Sequence, residues 1–227
     1  DIDGLSMETL AKDGGRSAER FGSWLNMTDE RMRELVLKTK EAGTWNIPTF
    51  IVVELLYDLQ KRKRIVNHPD LRLIPPGNRA AILSNGLDEI FSPASKEALR
   101  KSMPKMYQMI KSMNDMGVGV MTGTDTMVPY LIPGFTPIDE IEHFVDAGLS
   151  PYDAIKASTS GPAEFLGKQG SFGTISVGKS ANFILVDGNP LENVKNLWNL
   201  EGISIRGKWL DKERLTTLIE KQAKNYE

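Results

Sequence analysis

The 227-residue sequence contains no cysteine and only two histidines, His68 and His143. The absence of cysteine excludes disulfide bonds and thiolate metal sites. Two histidines provide few of the nitrogen ligands that catalytic zinc favours. Missing thiols do not decide the compartment: a cytoplasmic location is the default expectation, and a secreted protein without disulfides is also compatible with this composition.

The chain also lacks a strong charge imbalance and a long hydrophobic run. Its formal net charge is −2 and it has no extended basic block, so the sequence predicts neither a nucleic-acid partner nor an anionic membrane surface. No apolar run approaches the ~20 residues of a membrane span, and the start shows no signal-peptide pattern. With 40% hydrophobic and 26% charged residues, the chain is expected to be a soluble protein with a buried core.

Two helix–glycine–strand units stand out along the chain. A helix is predicted from Thr28, which can cap it, to Gly43, and a strand over 45–53 follows. A longer helix over 94–116 leads through Gly117 into a short apolar strand over 118–122. Alternation of this kind is typical of an α/β fold with a parallel sheet.

The remaining elements are predicted from periodicity and from turn residues. Residues 1–27 are interpreted as irregular and 69–77 as a loop. Helices are expected over 54–64, 78–91, 137–147, 151–158, 162–166 and 212–224. Short strands are expected over 172–175, 181–186 and 202–210, the last with a turn at Arg206-Gly207.

Asp125 is the candidate functional residue, because it follows the end of the 118–122 strand. In an α/β barrel the chemistry lies at the carboxyl ends of the strands. A carboxylate placed there can bind a metal or act as a general base. The residues alone leave a second interpretation open, in which Asp125 caps a turn or the next helix.

The histidines and methionines receive structural interpretations. His143 lies opposite the apolar side of the 137–147 helix and is predicted to be a solvated surface residue. His68, in a polar proline-containing loop, is predicted to be a loop or helix-cap histidine. The helical spacing of methionines in the 94–116 helix predicts core packing; these are Met103, Met106, Met109, Met113 and Met116.

A longer ordered set of residues resembles the C-terminal half of the amidohydrolase superfamily. The similarity is greatest to its imidazolonepropionase-like and Xaa-Pro dipeptidase (prolidase)-like metal-dependent hydrolases. It covers 117–210 densely and 29–53 more loosely. The matching stretches are Gly123-Thr-Asp125, Pro133-Gly-Phe135, Ile138-Asp-Glu-Ile-Glu142, Phe144-Val-Asp-Ala-Gly-Leu149, Ser150-Pro151, Ala154-Ile-Lys-Ala157-Ser-Thr159, Pro162-Ala-Glu-Phe-Leu-Gly167, Gly173-Thr-Ile175, 177–191 and 205–210.

The resemblance implies a fold: a TIM (β/α)8 barrel with a small β-sandwich built from both chain ends. Residues 1–166 would be the C-terminal part of the barrel, with 45–53 as its seventh strand and 118–122 as its eighth. Residues 167–211 would be a partial β-sandwich, and 212–227 a C-terminal helix.

The resemblance also implies a chemistry. The intact family protein would use a divalent metal, zinc foremost, to hydrolyse a carbon–nitrogen bond in a small-molecule amide, cyclic amide or dipeptide. Asp125 would bind the metal or lie beside it and take a proton from the metal-activated water. Thr124 and Thr126 would flank and orient the carboxylate.

The family's other ligands have no counterpart in this sequence. The His-x-His pair of the first strand and the ligands of the middle strands are absent, and the sixth-strand histidine would fall at or before Asp1. One hypothesis is therefore a truncated hydrolase, inactive in isolation and without tightly bound metal. The alternative is a non-catalytic partial-barrel module, stabilised by homo-oligomerisation or by a complementing chain because its strand edges would be unpaired.

Overall fold

A computed structural model describes residues 18–83, 91–126 and 128–226 of the chain. The predictions for 1–17 and for the end of the 78–91 helix lie outside the described residues.

Helices make up most of the described structure. Three 3-10 helices, Ser23–Asn26, Pro69–Leu73 and Val194–Trp198, lie between them. The α-helices are α1 Ala18–Gly22, α2 Asp29–Glu41, α3 Phe50–Tyr57, α4 Leu59–Val66, α5 Pro76–Ile82, α6 Pro93–Asp115, α7 Thr136–Asp146, α8 Pro151–Ser158, α9 Ser160–Phe165 and α10 Lys212–Lys224.

The helix ends show why several sequence predictions are confirmed. The hydroxyl of Thr28 accepts a hydrogen bond from the Arg31 amide at the start of α2, and Ser92 accepts one from the Ser95 amide at the start of α6. Such caps satisfy amide groups that have no partner within the helix. Residues 18–26, by contrast, were expected to be irregular and are helical instead.

The hydrophobic core lies around α6, which contacts α1, α2, α3 and α7. The core-packing interpretation of the methionines is confirmed, because four of the five are buried and Met116 packs against the same cluster. Burying an apolar side chain of this size contributes about 1.5–3 kcal/mol, so this face of α6 is a major source of stability.

The strand predicted over 45–53 is wrong from residue 50 onward. The chain turns at Thr49, whose φ is 51°, and continues as helix α3. Within this region, only Asn46 forms a bridge, parallel to Val120. Bulky apolar residues in a short run do not distinguish a buried helix from a buried strand, and all but three residues of α3 are buried.

The C-terminal region contains a three-stranded antiparallel sheet in the order β1-β2-β3. Its strands are Phe183–Val186, Leu200–Ile205 and Lys208–Asp211. The predicted turn at Arg206-Gly207 is confirmed: both residues have positive φ, 52° and 77°. This is the geometry of the two-residue hairpin turn that matches the twist of the flanking strands.

The strand predicted over 172–175 is wrong, because the chain there bends instead of pairing. Gly173 has a φ of +93°, and a Cβ at this position would lie 2.7 Å from Ala163 Cβ. The backbone therefore packs closely against α9.

The small sheet is attached to the helices through the 3-10 helix Val194–Trp198. Val194 and Leu197 are buried in the main core, and the Trp198 indole donates a 2.7 Å hydrogen bond to Glu142 of α7. None of the helices in the described ranges is both long and apolar enough to cross a membrane.

Candidate active site

Two extended segments meet in parallel and lead to the candidate site. The Asn46 amide donates to the Gly119 carbonyl, and the Met121 amide donates to the Asn46 carbonyl, both at 2.9 Å. A buried strand was predicted over 118–122: the burial is confirmed at Val118, Val120 and Met121, but the structure has no strand there, only a single bridge at Val120. Asp125 follows the carboxyl end of this pair.

The Asp125 side chain is exposed, and its backbone is left-handed with a φ of 49°. Aspartate is among the residues that tolerate this conformation. Its carbonyl accepts a hydrogen bond from the Val128 amide at 3.1 Å. Among contacts between described residues, its carboxylate makes no hydrogen bond or ion pair, so it caps no amide there.

Hydroxyl groups fix the segment on both sides of Asp125. The side chains of Thr124 and Thr126 are hydrogen-bonded to each other, so the two flanking hydroxyls contact one another. Before the loop, Thr122 bonds to the Ser158 hydroxyl at 2.8 Å and its amide donates to the Ala157 carbonyl. Helix α8 therefore holds the end of the segment that carries Asp125.

Gly123 permits a close approach between the two extended segments. A Cβ built on Gly123 would lie 2.3 Å from Ile47 Cγ2 and 3.5 Å from Thr49 Cγ2. A side chain at this position would require Ile47 to move. The loop with Asp125 thus rests against the turn at which α3 begins.

Glu140 of α7 binds the first turn of α3. Its two carboxylate oxygens accept hydrogen bonds from the Phe50 amide at 2.9 Å and the Ile51 amide at 2.8 Å. The residue is fully buried. Burial raises the pKa of Glu140 to about 7, although the His143 charge and both backbone bonds act in the opposite direction.

His143 was predicted to be solvated, and this is wrong: it is 5% exposed. Its Nδ1 lies 2.6 Å from the Tyr107 hydroxyl, and its Nε2 lies 3.3 Å from Glu54 Oε2. Helix α7 contacts α3, α6, α8 and the 3-10 helix Val194–Trp198. A helix covered on several sides buries residues opposite its apolar face as well, so periodicity alone misplaced this histidine.

Glu54 is the acidic centre of this buried polar cluster. Burial alone would raise its pKa, but hydrogen bonds and charge from His143 and Lys61 outweigh this effect and lower it to about 2. Lys61 also lies 3.9 Å from Asp139. The cluster is therefore a network of charged and polar groups that joins α3, α4 and α7.

His68 is a cap, as predicted. It precedes the 3-10 helix Pro69–Leu73, and its Nδ1 accepts a hydrogen bond from the Asp70 amide at 3.2 Å. A capping role accounts for this histidine without a ligand.

A cleft of about 320 Å³ lies at the opposite end of the paired segments. It is lined by residues that include Trp45, Val118 and Gly119, with Lys40 and Lys156 among its charged residues. Asp125 does not line it. In parallel α/β folds the reaction occurs at the carboxyl ends of the strands, so we assign the candidate site to the Asp125 loop and not to this cleft.

The described residues do not form a metal centre. No group of three or more histidine, aspartate or glutamate side chains within 18–83, 91–126 and 128–226 could hold a metal ion. Catalytic zinc takes about three protein ligands, and Asp125 supplies one carboxylate.

Comparison with known proteins gives consistent matches. The chain is 33% identical over 117 residues to the imidazolonepropionase of Syntrophobacter fumaroxidans. The aligned region covers 49% of this chain and 25% of that protein. It resembles a Xaa-Pro dipeptidase structure at TM-score 0.55 and 22% identity, covering 86% of this chain and 43% of the other. A bottromycin amidohydrolase structure matches at TM-score 0.62 and 18% identity, and the match covers 89% of this chain and 46% of that protein.

The chain thus matches less than half the length of each of these relatives. The structural likeness indicates a fold of the TIM-barrel-like metal-hydrolase kind, seen here as a helix-rich body with a small sheet. A partial barrel and a partial sandwich, with boundaries near 166 and 211, stay predictions. The sequence model of the amidohydrolase family matches residues 22–210, and the chain belongs to that family.

Proposed function

We propose that this chain is the C-terminal part of a hydrolase that cleaves a carbon–nitrogen bond in a small amide, cyclic amide or dipeptide. The main support is the position of Asp125, which follows the carboxyl end of two parallel paired segments. The chain also belongs to the amidohydrolase family. The carboxylate is exposed and makes no hydrogen bond or ion pair to described residues, so it is accessible to substrate and water.

The divalent metal of the family does not fit the described residues alone, because one carboxylate is too few ligands. Asp125 as a metal ligand therefore stays a prediction. We propose that further ligands come from polypeptide outside the described residues, and that the isolated chain has little or no activity.

Within the proposal, Asp125 acts as a general base. Its carboxylate accepts a proton from the water that attacks the carbonyl-type carbon, and it returns this proton to the leaving nitrogen as the carbon–nitrogen bond breaks. The Thr124–Thr126 hydroxyl pair restricts the loop on both sides of the carboxylate, and the Thr122 anchor to α8 holds the preceding backbone.

The test is the substitution Asp125→Asn in the longest native polypeptide that carries this chain, assayed on a panel of dipeptides and cyclic amides. Loss of a general base lowers kcat by about 100- to 10,000-fold. Asp115→Asn is the matched control, because Asp115 is exposed and pairs with Lys111 at the end of α6. Wild-type turnover by the Asp125 variant, with an intact circular dichroism spectrum, would remove Asp125 from the mechanism.

Association into a homo-oligomer stays a prediction, and light scattering of the purified chain tests it. A monomer at all concentrations would contradict edge pairing between copies.

A further inference from the structure

Glu140 joins two parts of the molecule that lie far apart in sequence. It accepts hydrogen bonds from amides 89 and 90 residues away, at the start of α3. The first amides of a helix have no partner within the helix, and Thr49 before α3 provides no side-chain cap. The carboxylate of another helix therefore takes the place of a local cap.

The same turn touches the loop that carries Asp125. The backbone of Thr49 is left-handed. A Cβ built on Gly123 would contact the Cγ2 atoms of both Ile47 and Thr49. Gly123 is two residues before Asp125. A continuous path of contacts thus runs from Glu140 through the start of α3 and the Ile47–Thr49 turn to the Asp125 loop.

We propose that Glu140 is a positioning residue for Asp125: by binding the Phe50 and Ile51 amides, it fixes the turn against which the Asp125 loop packs. The significance for catalysis rests on the proposed function. The positioning itself does not, because it is a property of this chain's own contacts and is measurable without turnover.

Several charged or titratable groups face Glu140 from the elements packed around it. They are His143 on α7, Lys61 on α4 and Tyr107 on α6; Glu54 on α3 and Asp139 on α7 lie one step further away, beside His143 and Lys61. Burial raises the pKa of Glu140 into the neutral range, so its protonation, and with it the strength of the two amide bonds, changes near physiological pH.

The first experiment compares backbone amide signals in the ¹⁵N-labelled chain of the wild type, Glu140→Gln and the control Glu142→Gln. Glu142 lies on the same helix but bonds to the Trp198 indole. We expect Glu140→Gln to speed hydrogen exchange at Phe50 and Ile51 about tenfold or more, and to shift the Gly123 and Asp125 amides. The control should leave all four signals in place.

A cap without a positioning role would give a different pattern. Phe50 and Ile51 would change in Glu140→Gln, while Gly123 and Asp125 would keep their wild-type shifts, and that result would overturn the proposal. In the wild type, the signals of all four amides should titrate together between about pH 5.5 and 8.5. This titration should persist in His143→Gln and vanish in Glu140→Gln.

A second variant approaches the same contact from the other side, should Glu140→Gln not fold. Gly123→Ala places a Cβ 2.3 Å from Ile47 Cγ2, so Ile47 must move, and we expect the resulting displacement of the turn to shift the Phe50 and Ile51 amides. Gly77→Ala, where a Cβ meets nothing within 4 Å, is the control. Unchanged Phe50 and Ile51 signals in Gly123→Ala would refute the coupling, whereas an active Asp125→Asn enzyme would refute only the proposed function.

Discussion

The buried carboxyl of Glu140 makes the free energy of unfolding depend on pH in a defined direction. Its pKa is 4.5 in an ordinary setting and about 7 in the folded chain. Between these values the folded state holds a proton that the unfolded state has released. Stability from this group is therefore complete below pH 4.5 and is lost as pH rises through 7.

The size of the effect follows from the pKa difference. Each pH unit corresponds to about 1.4 kcal/mol of differential interaction, so Glu140 contributes a decrease of about 3 kcal/mol between pH 4.5 and 7.5. Glutamine does not ionise, and Glu140→Gln should remove this slope. The variant is also expected to be less stable than wild type near pH 5, where Glu140 keeps its full contribution, since the glutamine amide can accept only one of the two backbone hydrogen bonds.

Urea unfolding followed by circular dichroism measures the slope at half-unit pH steps from 5 to 7.5. The informative quantity is the difference between wild type and Glu140→Gln, because both retain the same two histidines. Glu142→Gln removes a carboxylate from the same helix and serves as the control. A wild-type minus variant difference that stays constant with pH would refute the burial argument for Glu140.

Three further changes test other parts of the structure. Gly119→Ala places a Cβ within 2.3 Å of the Trp45 indole, so we expect a loss of about 1–3 kcal/mol in unfolding free energy and altered tryptophan fluorescence. Tyr107→Phe removes the hydroxyl partner of His143, which should cost about 1–3 kcal/mol in urea unfolding because a buried nitrogen loses its hydrogen bond. Glu54, with its pKa lowered to about 2, stabilises the fold above pH 4.5; Glu54→Gln should make acid unfolding between pH 4.5 and 2 less steep.

Each of these variants has a matched control or a contradicting outcome. Gly77→Ala adds the same methyl group where nothing lies within 4 Å, and Tyr152→Phe removes a hydroxyl from an exposed tyrosine. Both should leave unfolding nearly unchanged. A Tyr107→Phe protein as stable as wild type would mean that the His143 contact contributes nothing, and an unchanged acid transition in Glu54→Gln would contradict the ion-pair argument.

Local sequence signals predicted the helices well because their causes are local. Thr28 caps α2, Gly43 follows it with a φ of +63°, and α10 begins where Asp211 accepts a bond from the Arg214 amide. Each feature involves residues close together in the chain. The family was also recognisable from ordered motifs, and the match over 22–210 confirms it.

The errors arose where tertiary contacts overrule a local pattern. The 45–53 run has strand composition, yet from Phe50 it is helical because Glu140, far along the chain, satisfies the first free amides of that helix. His143 was misplaced because α7 is packed on several sides. Neither cause can be read from periodicity within one segment.

The candidate site combines both kinds of information. Composition and order place Asp125 after a buried extended run, and the structure adds what holds that run in place: the Ser158 hydroxyl on one side and the Ile47–Thr49 turn on the other. An exposed carboxylate on a loop would be free to move, but here its neighbours are tied to α8 and, through Glu140, to α7. Under the proposed function, Asp125 must accept a proton in a fixed geometry and needs such supports, so we propose that the buried glutamate and the exposed aspartate are parts of one arrangement.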